Sequence, residues 1–535
     1  MSIIPISLAK WLQDTARPDR GMFYEIDGVR RYMGFDELYR EALLMAERIR
    51  SLKLRTRFIA PIWMTSSPAC FQAIMAVVLA DGIPVPLHAA SAVSEIPAML
   101  DGLEAELFLY SSSLLSDSRL SECWVSQAEY GTLLMDGETG EVRNPVMQEG
   151  ELKLTERTRR YVPPHDTTFI FMSSGSTGTP KGIMLSFCNI WSNVRSIKQS
   201  LDLGESDSVL ITKSLGYCST VTGEWLLALH AGMNIALAPG MAHPLQLISA
   251  IRKFQPTFLC TVPAVMLPLA KSVKWQAEDF QCLRKLIVVG AAMPPDMLLL
   301  MQNRLPATDI MPCYGLTEAS PRVTYLPSRW LAAKPGSAGM AVPGVELAIY
   351  HDGRPCPPGE TGEVVVRGDN VMLGYYNDEK RTAEALTPFG LRTKDEGWLD
   401  EDGCLYVTGR SDYAFNVAGH LFHPETLEKI LLSHAAVAEA AAAGIPDAAT
   451  GKRPVAFVVL EEQCSAYDAV QVVTELLEHC RERLPAAGRP RDMMIVPVLP
   501  RTKTGKLDRR AIQAKVEEGY DDHGRREISA AIDSH

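Results

Sequence analysis

The stretch FIFMSSGSTGTPKG, Phe169 to Gly182, sets Ser173, Ser174, Gly175, Ser176, Thr177, Gly178 and Thr179 beside one cation, Lys181. Glycines let the chain turn tightly, and small side chains let backbone amides approach an anion closely. The hydroxyls add donors and the lysine adds charge, a combination suited to a polyphosphate. The spacing is not that of the P-loop, GxxxxGK[ST], because no Gly-Lys-Ser/Thr step occurs. Four later blocks also carry chemistry. In CYGLTEAS, Tyr314 offers an aromatic face, Thr317 a hydroxyl for a phosphate oxygen, and Glu318 a carboxylate for Mg²⁺. TKDEGWLDEDG offers Asp395, a carboxylate able to accept two sugar hydroxyls. GRSD offers Arg410 and Asp412, and PRTKTGKLDRR offers Lys506. Taken singly, each block has an ordinary reading: a surface loop, a helix start, a turn acid, a hairpin end, a solvated lysine.

Together, in this order and with these gaps, the five blocks resemble those of adenylate-forming enzymes: acyl-CoA synthetases, peptide-synthetase adenylation domains and luciferases. The resemblance covers nearly the whole chain. It implies that MgATP and a carboxylic acid give acyl-AMP and pyrophosphate, and that a thiol then displaces AMP. Residues 173–179 and Lys181 would hold the phosphates, Thr317 would assist, and Glu318 would bind Mg²⁺. Tyr314 would stack on adenine, while Asp395 and Arg410 would clamp the ribose. Gly290, Ala291 and Ala292 would border the nucleotide and acid pocket, and Tyr217, Ser219 and Gly315 would line its acid side. Lys506 would set a positive charge between the acid and the α-phosphate, then leave by rotation about Asp412 as Gly419 comes to face a thiol tunnel. The thiol would belong to CoA or to the phosphopantetheine of a separate carrier protein. A catalytically dead nucleotide-binding protein is disfavoured by intact Lys181, Glu318, Asp395, Arg410 and Lys506, and a kinase by the failed P-loop spacing.

Three positions depart from common family forms: Lys394 replaces a glycine beside Asp395, Asn416 stands where lysine is common, and Phe187 where histidine is frequent. Amino-acid-activating members usually place an aspartate near Ser219. None is present here, which argues against α-amino acids, since a buried unpaired ammonium is costly. Glu224, the one acid nearby, reads as a glutamate on a helix face. An aryl or aliphatic acid is the expected substrate.

These residues need a scaffold. The chain has 535 residues, 47% hydrophobic and 22% charged, which bounds it at roughly three to four domain-sized units. Up to about residue 400, apolar runs such as RFIAPIWM, DSVLITKS, PTFLCTVP and KLIVVGAAMP alternate with helical patterns such as FDELYREALLMAERIRSL. That alternation predicts an α/β fold with parallel sheets. The Gly- and Pro-rich stretch from Gly336 to Arg367, and DEDGCLYVTGRSD after it, predict a small antiparallel, barrel-like piece. Beyond Asp412, ETLEKILLSHAAVAEAAAAGIPD reads as helix-rich, followed by the strand RPVAFVVLEE and the helix AVQVVTELLEHCRERL, a small α+β domain. The expected division is a large domain over 1–411, built of two α/β sheet subdomains and the barrel-like piece, and a small mobile domain over 412–535. Net charge −11 without a basic run speaks against nucleic acid. Eleven dispersed cysteines read as reduced thiols. No apolar run reaches the ~18 residues that span a bilayer, and nothing at the start reads as a signal peptide, so the cytoplasm is expected.

Overall fold

The computed structural model describes residues 7–91, 95–111, 114, 133–143, 160–173, 181–240, 244–272, 275–417, 420–447, 450–464, 468–485, 488–501 and 507–519. The apolar runs form strands. Among the described residues the largest sheet orders them Met340–Ala341, Thr324–Tyr325, Asp309–Tyr314, Lys285–Val288, Phe258–Thr261, Ser208–Ile211, Asn234–Leu237, Gly21–Ile26 and Val29–Gly34. From Asp309–Tyr314 across to Gly21–Ile26 the strands are parallel. A second sheet sets Ile83–Pro86, Ile59–Trp63, Leu107–Tyr110 and Leu133–Asp136 side by side and parallel. Parallel strands are covered on both faces, which is why they read as continuous apolar runs instead of alternating ones. Helices provide the cover. In Phe35–Ser51 the buried residues Phe35, Leu38, Ala42, Ala46 and Ile49 recur every three or four positions along one face.

The Gly- and Pro-rich region forms the antiparallel piece: Val345–His351, Arg354–Pro355, Gly362–Gly368, Gly390–Leu399 and Leu386–Thr387, with Leu405–Arg410 paired to Gly390–Leu399. Its Asp352-Gly353 turn takes positive φ at both residues, as a tight hairpin requires. A separate short sheet joins Thr167–Ser173, Lys181–Ser186 and Gly374–Tyr375.

The C-terminal region corrects one expectation. Only Pro424–Leu432 of its Ala-rich stretch is helical; Val437–Asp447 is a strand, paired antiparallel along its length with Gly451–Leu460. The alanines explain it. Ala440 and Ala442 pack with Leu427, Leu431, Val472 and Leu476 on one face, while Ala441, Ala443 and Ile445 pack with Ile512 and Val516 on the other. Methyl-sized side chains let helices approach both sides of the strand, and this packing overrides alanine's helix preference. The region touches the rest of the chain through Leu432, packed against the core that holds Leu269 and Cys404, and through polar contacts. Lys429 Nζ donates to the Val407 carbonyl at 3.0 Å, His423 Nε2 lies 3.0 Å from Glu396 Oε2, and Lys271 pairs with Glu461 at 3.0 Å. No described helix is long and apolar enough to cross a membrane.

Candidate active site

Because Ser208–Ile211, Phe258–Thr261, Lys285–Val288 and Asp309–Tyr314 run the same way, their carboxyl ends share one edge of the sheet. The segments that leave them, carrying Tyr217, Ser219, Gly290 and Thr317, gather there, where open α/β sheets bind ligands. The strands that flank the Ser/Gly-rich stretch, Thr167–Ser173 and Lys181–Ser186, pair antiparallel, with Ser173 in register with Lys181. Ser174, Gly175, Ser176, Thr177, Gly178 and Thr179 lie outside the described residues, as do Gly419 and Lys506.

Lys181 is the cation that opens the strand Lys181–Ser186. Its neighbour strand brings Tyr375 alongside, with Nζ 5.2 Å from the ring centroid. Burial, then Arg381 and Lys394, push the Lys181 pKa below the usual lysine range, while Glu318 and Asp412 pull it back. The Tyr375 hydroxyl donates to Glu318 Oε1 at 3.0 Å, so one tyrosine ties the lysine to the acid. Nothing in the sequence marked Tyr375. Its role comes from the pairing of Gly374–Tyr375 with Lys181–Ser186, across nearly two hundred residues of chain.

A second set adjoins the first. The Tyr314 hydroxyl donates to Asp395 Oδ2 at 2.6 Å, Arg410 Nη1 lies 3.3 Å from Asp395 Oδ1, and Arg410 Nη2 lies 3.3 Å from Asp412 Oδ2. The hairpin register sets Asp395 directly opposite Arg410. Burial pushes the Asp395 carboxyl up, with Glu318 and Asp412 adding to the rise and Arg410 and Tyr314 opposing it. Burial, then Asp395, pushes the Tyr314 hydroxyl far up, so it remains a donor. Gly315 has no substitute: a Cβ there would stand 1.9 Å from the Pro321 carbonyl oxygen.

Of the residues expected to border the acid, Tyr217 packs its ring edge-on against His88 at 5.0 Å, and Ser219 is half-buried at the next turn. Gly290, Ala291 and Ala292 form an exposed lip, with Gly290 at φ +88°. Glu224 departs from the expectation of a helix-face glutamate. It is fully buried in a π-helical turn, Val221–Leu226, and ion-paired with Lys213. Burial raises its carboxyl's pKa, and Lys213 and Arg322 oppose the rise. Sequence spacing could not find this pairing, since its partners come from other elements. Phe187 packs with Trp11 and Trp191, centroids 5.9 and 6.0 Å away. Lys394 takes φ +61°, the backbone a glycine prefers, and its carbonyl accepts from Ser411 N at 3.0 Å. Asn416 lies exposed on the strand Phe415–Val417.

Comparison with known proteins agrees with this geometry. The AMP-binding enzyme model matches residues 11–376, and the AMP-binding enzyme C-terminal domain model matches residues 426–506. A 2-succinylbenzoate–CoA ligase of Bacillus velezensis is 30% identical over 482 residues, 90% of this chain and 92% of that protein. An o-succinylbenzoate CoA synthetase from Bacillus subtilis, in complex with its acyl-adenylate intermediate, superposes with TM-score 0.78 at 25% identity, over 94% of this chain and 97% of that one. The same synthetase in complex with ATP and magnesium ion gives TM-score 0.78 at 26% identity, over 94% and 98%. The chain belongs to the AMP-binding enzyme family and is an AMP-forming acid–thiol ligase.

Proposed function

We propose that this chain activates an aryl or aliphatic carboxylic acid as acyl-AMP and passes the acyl group to the thiol of CoA. The observation that carries the reading is the pair of linked sets at the sheet edge, Lys181–Tyr375–Glu318 and Tyr314–Asp395–Arg410, beside the strands that flank the Ser/Gly-rich stretch. In this reading Lys181 and the loop amides hold the pyrophosphate that leaves, as preorganised donors aimed at developing charge. Asp395 accepts from the ribose hydroxyls, with Arg410 fixing its carboxylate. Tyr314 presents its ring to adenine while its hydroxyl stays on Asp395. Glu318 fits a hard cation, being a carboxylate oriented by the hydrogen bond from Tyr375. Mg²⁺ there would supply charge neutralisation at the phosphates. Thr317, on the same turn, faces a phosphate oxygen. Tyr217, Ser219, Gly290, Ala291, Ala292 and Gly315 border the acid.

Residues 412–535 act as the mobile part, turning about Asp412. In one orientation Lys506 places its ammonium between the acid carboxylate and the α-phosphate; in the other, Gly419 lets a pantetheine arm pass close to backbone. The compartment proposed is the cytoplasm. The test is acid-dependent ATP–pyrophosphate exchange across an acid panel, followed by thioester trapping with CoA and with a phosphopantetheinylated carrier protein. Lys506→Ala should slow acyl-AMP formation by about 10²–10³, the usual loss for one preorganised donor, and spare thiolation from supplied acyl-AMP. Equal slowing of both halves removes the role given to Lys506. No exchange with any acid removes the reading itself.

A further inference from the structure

After the strand Gly362–Gly368 the chain crosses from the antiparallel piece to the short sheet that holds Lys181, and its path is hydrogen-bonded on both sides. One side is tied to the strand Lys181–Ser186 and the helix that follows it. Leu373 N donates to the Met184 carbonyl at 2.9 Å, and Tyr376 N to the Gly182 carbonyl at 2.7 Å. Asn189, in the capping box of the helix Phe187–Leu201, donates from Nδ2 to the Asp369 carbonyl at 2.8 Å. The other side is tied to the turn Thr317–Ala319. Met372 N donates to the Glu318 carbonyl at 2.9 Å, and Asn370 Nδ2 to the Ala319 carbonyl at 2.9 Å, besides the Tyr375 hydroxyl on Glu318 Oε1. One short segment thus connects the strand of Lys181 to the turn of Glu318.

Asn370 lies outside the five blocks that carry the chemistry. It is 1% exposed, and its Oδ1 is buried without a hydrogen-bond partner. An unpaired buried amide oxygen is unfavourable, and an apolar residue of the same size would avoid it. Packing alone therefore does not explain an amide here; what the amide supplies is the Nδ2 donor. Its acceptor needs that donor, because Ala319 is fully buried and water does not reach it. The turn also needs outside support. It is a single 3₁₀ turn of three residues that stops at Ser320, φ +64°, so no continuing helix holds its shape. Tyr375 orients the Glu318 carboxylate, while Asn370 and Met372 hold the backbone beneath it.

We propose that Asn370 is a positioning residue for acyl-AMP formation: by holding the Ala319 carbonyl it fixes the Thr317–Ala319 turn, and with it Glu318, relative to Lys181, so that both meet one metal-bound triphosphate. The assignment rests on the ligase reading above, in which Glu318 takes the cation. Asn370 touches neither nucleotide nor metal and acts through the turn.

The test is calorimetric binding of ATP to the full chain without any acid present, once with Mg²⁺ and once with EDTA. Asn370→Leu keeps the volume and loses the donor. It should weaken binding with Mg²⁺ by about twofold to tenfold, the range of one uncharged hydrogen bond, and leave binding in EDTA at the parent value. Asn370→Ala, which brings no bulk into the buried site, is measured beside it, with melting temperatures for both. Combined with Tyr375→Phe, the loss should fall short of the product of the two single losses, because both contacts hold one residue. Three results overturn the proposal: parent-like binding of MgATP by a folded variant, an equal loss with Mg²⁺ and in EDTA, which a merely structural amide would give, or losses that simply multiply with Tyr375→Phe. Glu318→Gln keeps the two readings apart. If it binds MgATP as the parent does, the cation's place at Glu318 fails and this assignment falls with it. A weakened Glu318→Gln beside a parent-like Asn370→Leu overturns the assignment alone.

Discussion

Replacing Tyr375 by phenylalanine separates two contacts that one side chain makes. The variant loses the hydroxyl that donates to Glu318 Oε1 at 3.0 Å but keeps the ring 5.2 Å from Lys181 Nζ. A hydrogen bond to a charged acceptor contributes about 1.5–3 kcal/mol when buried. Glu318 is half-buried, so water recovers part of that, and the loss of stability should sit at or below the lower figure. The freed glutamate also regains rotamers, worth up to ~1.5–2 kcal/mol when fully released. Re-ordering it for a cation then costs about 1 kcal/mol, a rise of roughly fivefold in the apparent Mg²⁺ constant. The assay is acid-dependent pyrophosphate exchange at saturating ATP with Mg²⁺ varied. Tyr375→Leu removes the ring as well and should add a further loss of ~0.5–1 kcal/mol, seen in the KM for ATP. If Tyr375→Phe melts lower yet keeps the parent Mg²⁺ dependence, the hydroxyl is structural and the orientation of Glu318 has another source.

Lys394 holds φ +61°, a strain of about 1 kcal/mol for a side-chain-bearing residue, partly offset by a half-exposed pair with Asp412 at 3.7 Å. Lys394→Gly should therefore melt higher than Lys394→Ala, by about 1 kcal/mol in urea unfolding, and the reverse order would refute the strain. Burial, then Lys198 and Arg195, push His230 down from 6.5 to about 4. The unfolded chain takes up that proton first, so stability should fall as pH drops from 6.5 towards 4, and His230→Gln should lose less over that range. An equal loss in both proteins would assign the acid sensitivity elsewhere. Asp395→Asn keeps an acceptor for Tyr314 but removes a carboxylate that burial disfavours. The KM for ATP should rise about tenfold, the gap between charged and neutral acceptors, with the melting temperature held. A melting temperature that falls in step with activity would make Asp395 only a partner for Arg410.

The α/β architecture was legible because its signal is local. A strand covered on both faces is a short apolar run, and DSVLITKS, PTFLCTVP and KLIVVGAAMP announced Ser208–Ile211, Phe258–Thr261 and Lys285–Val288 without reference to their neighbours. The Ala-rich segment failed for the same reason. Alanine leads the helix scale, so Val437–Asp447 looked helical on local grounds, and what decides it is the helices pressing on its two faces. Pro446, Gly444 and the apolar run of Gly451–Leu460 just beyond were the available hints of a hairpin.

The site divides along the same line. Asp395 and Arg410 lie in two short polar blocks on one hairpin, close in sequence, and the register that sets them opposite one another is a local property. Glu224 and Tyr375 depend on partners from distant segments, Lys213 and Arg322 for one, Glu318 and Lys181 for the other. A glutamate at helical spacing is ordinarily solvated, and only the π turn of Val221–Leu226 with the strand end beneath it makes this one a buried counter-ion. Motifs therefore located the chemistry common to adenylate formation. The setting of Glu224 is carried by Lys213 and Arg322, charges that no single window of sequence contains, so motif spacing alone does not reach it.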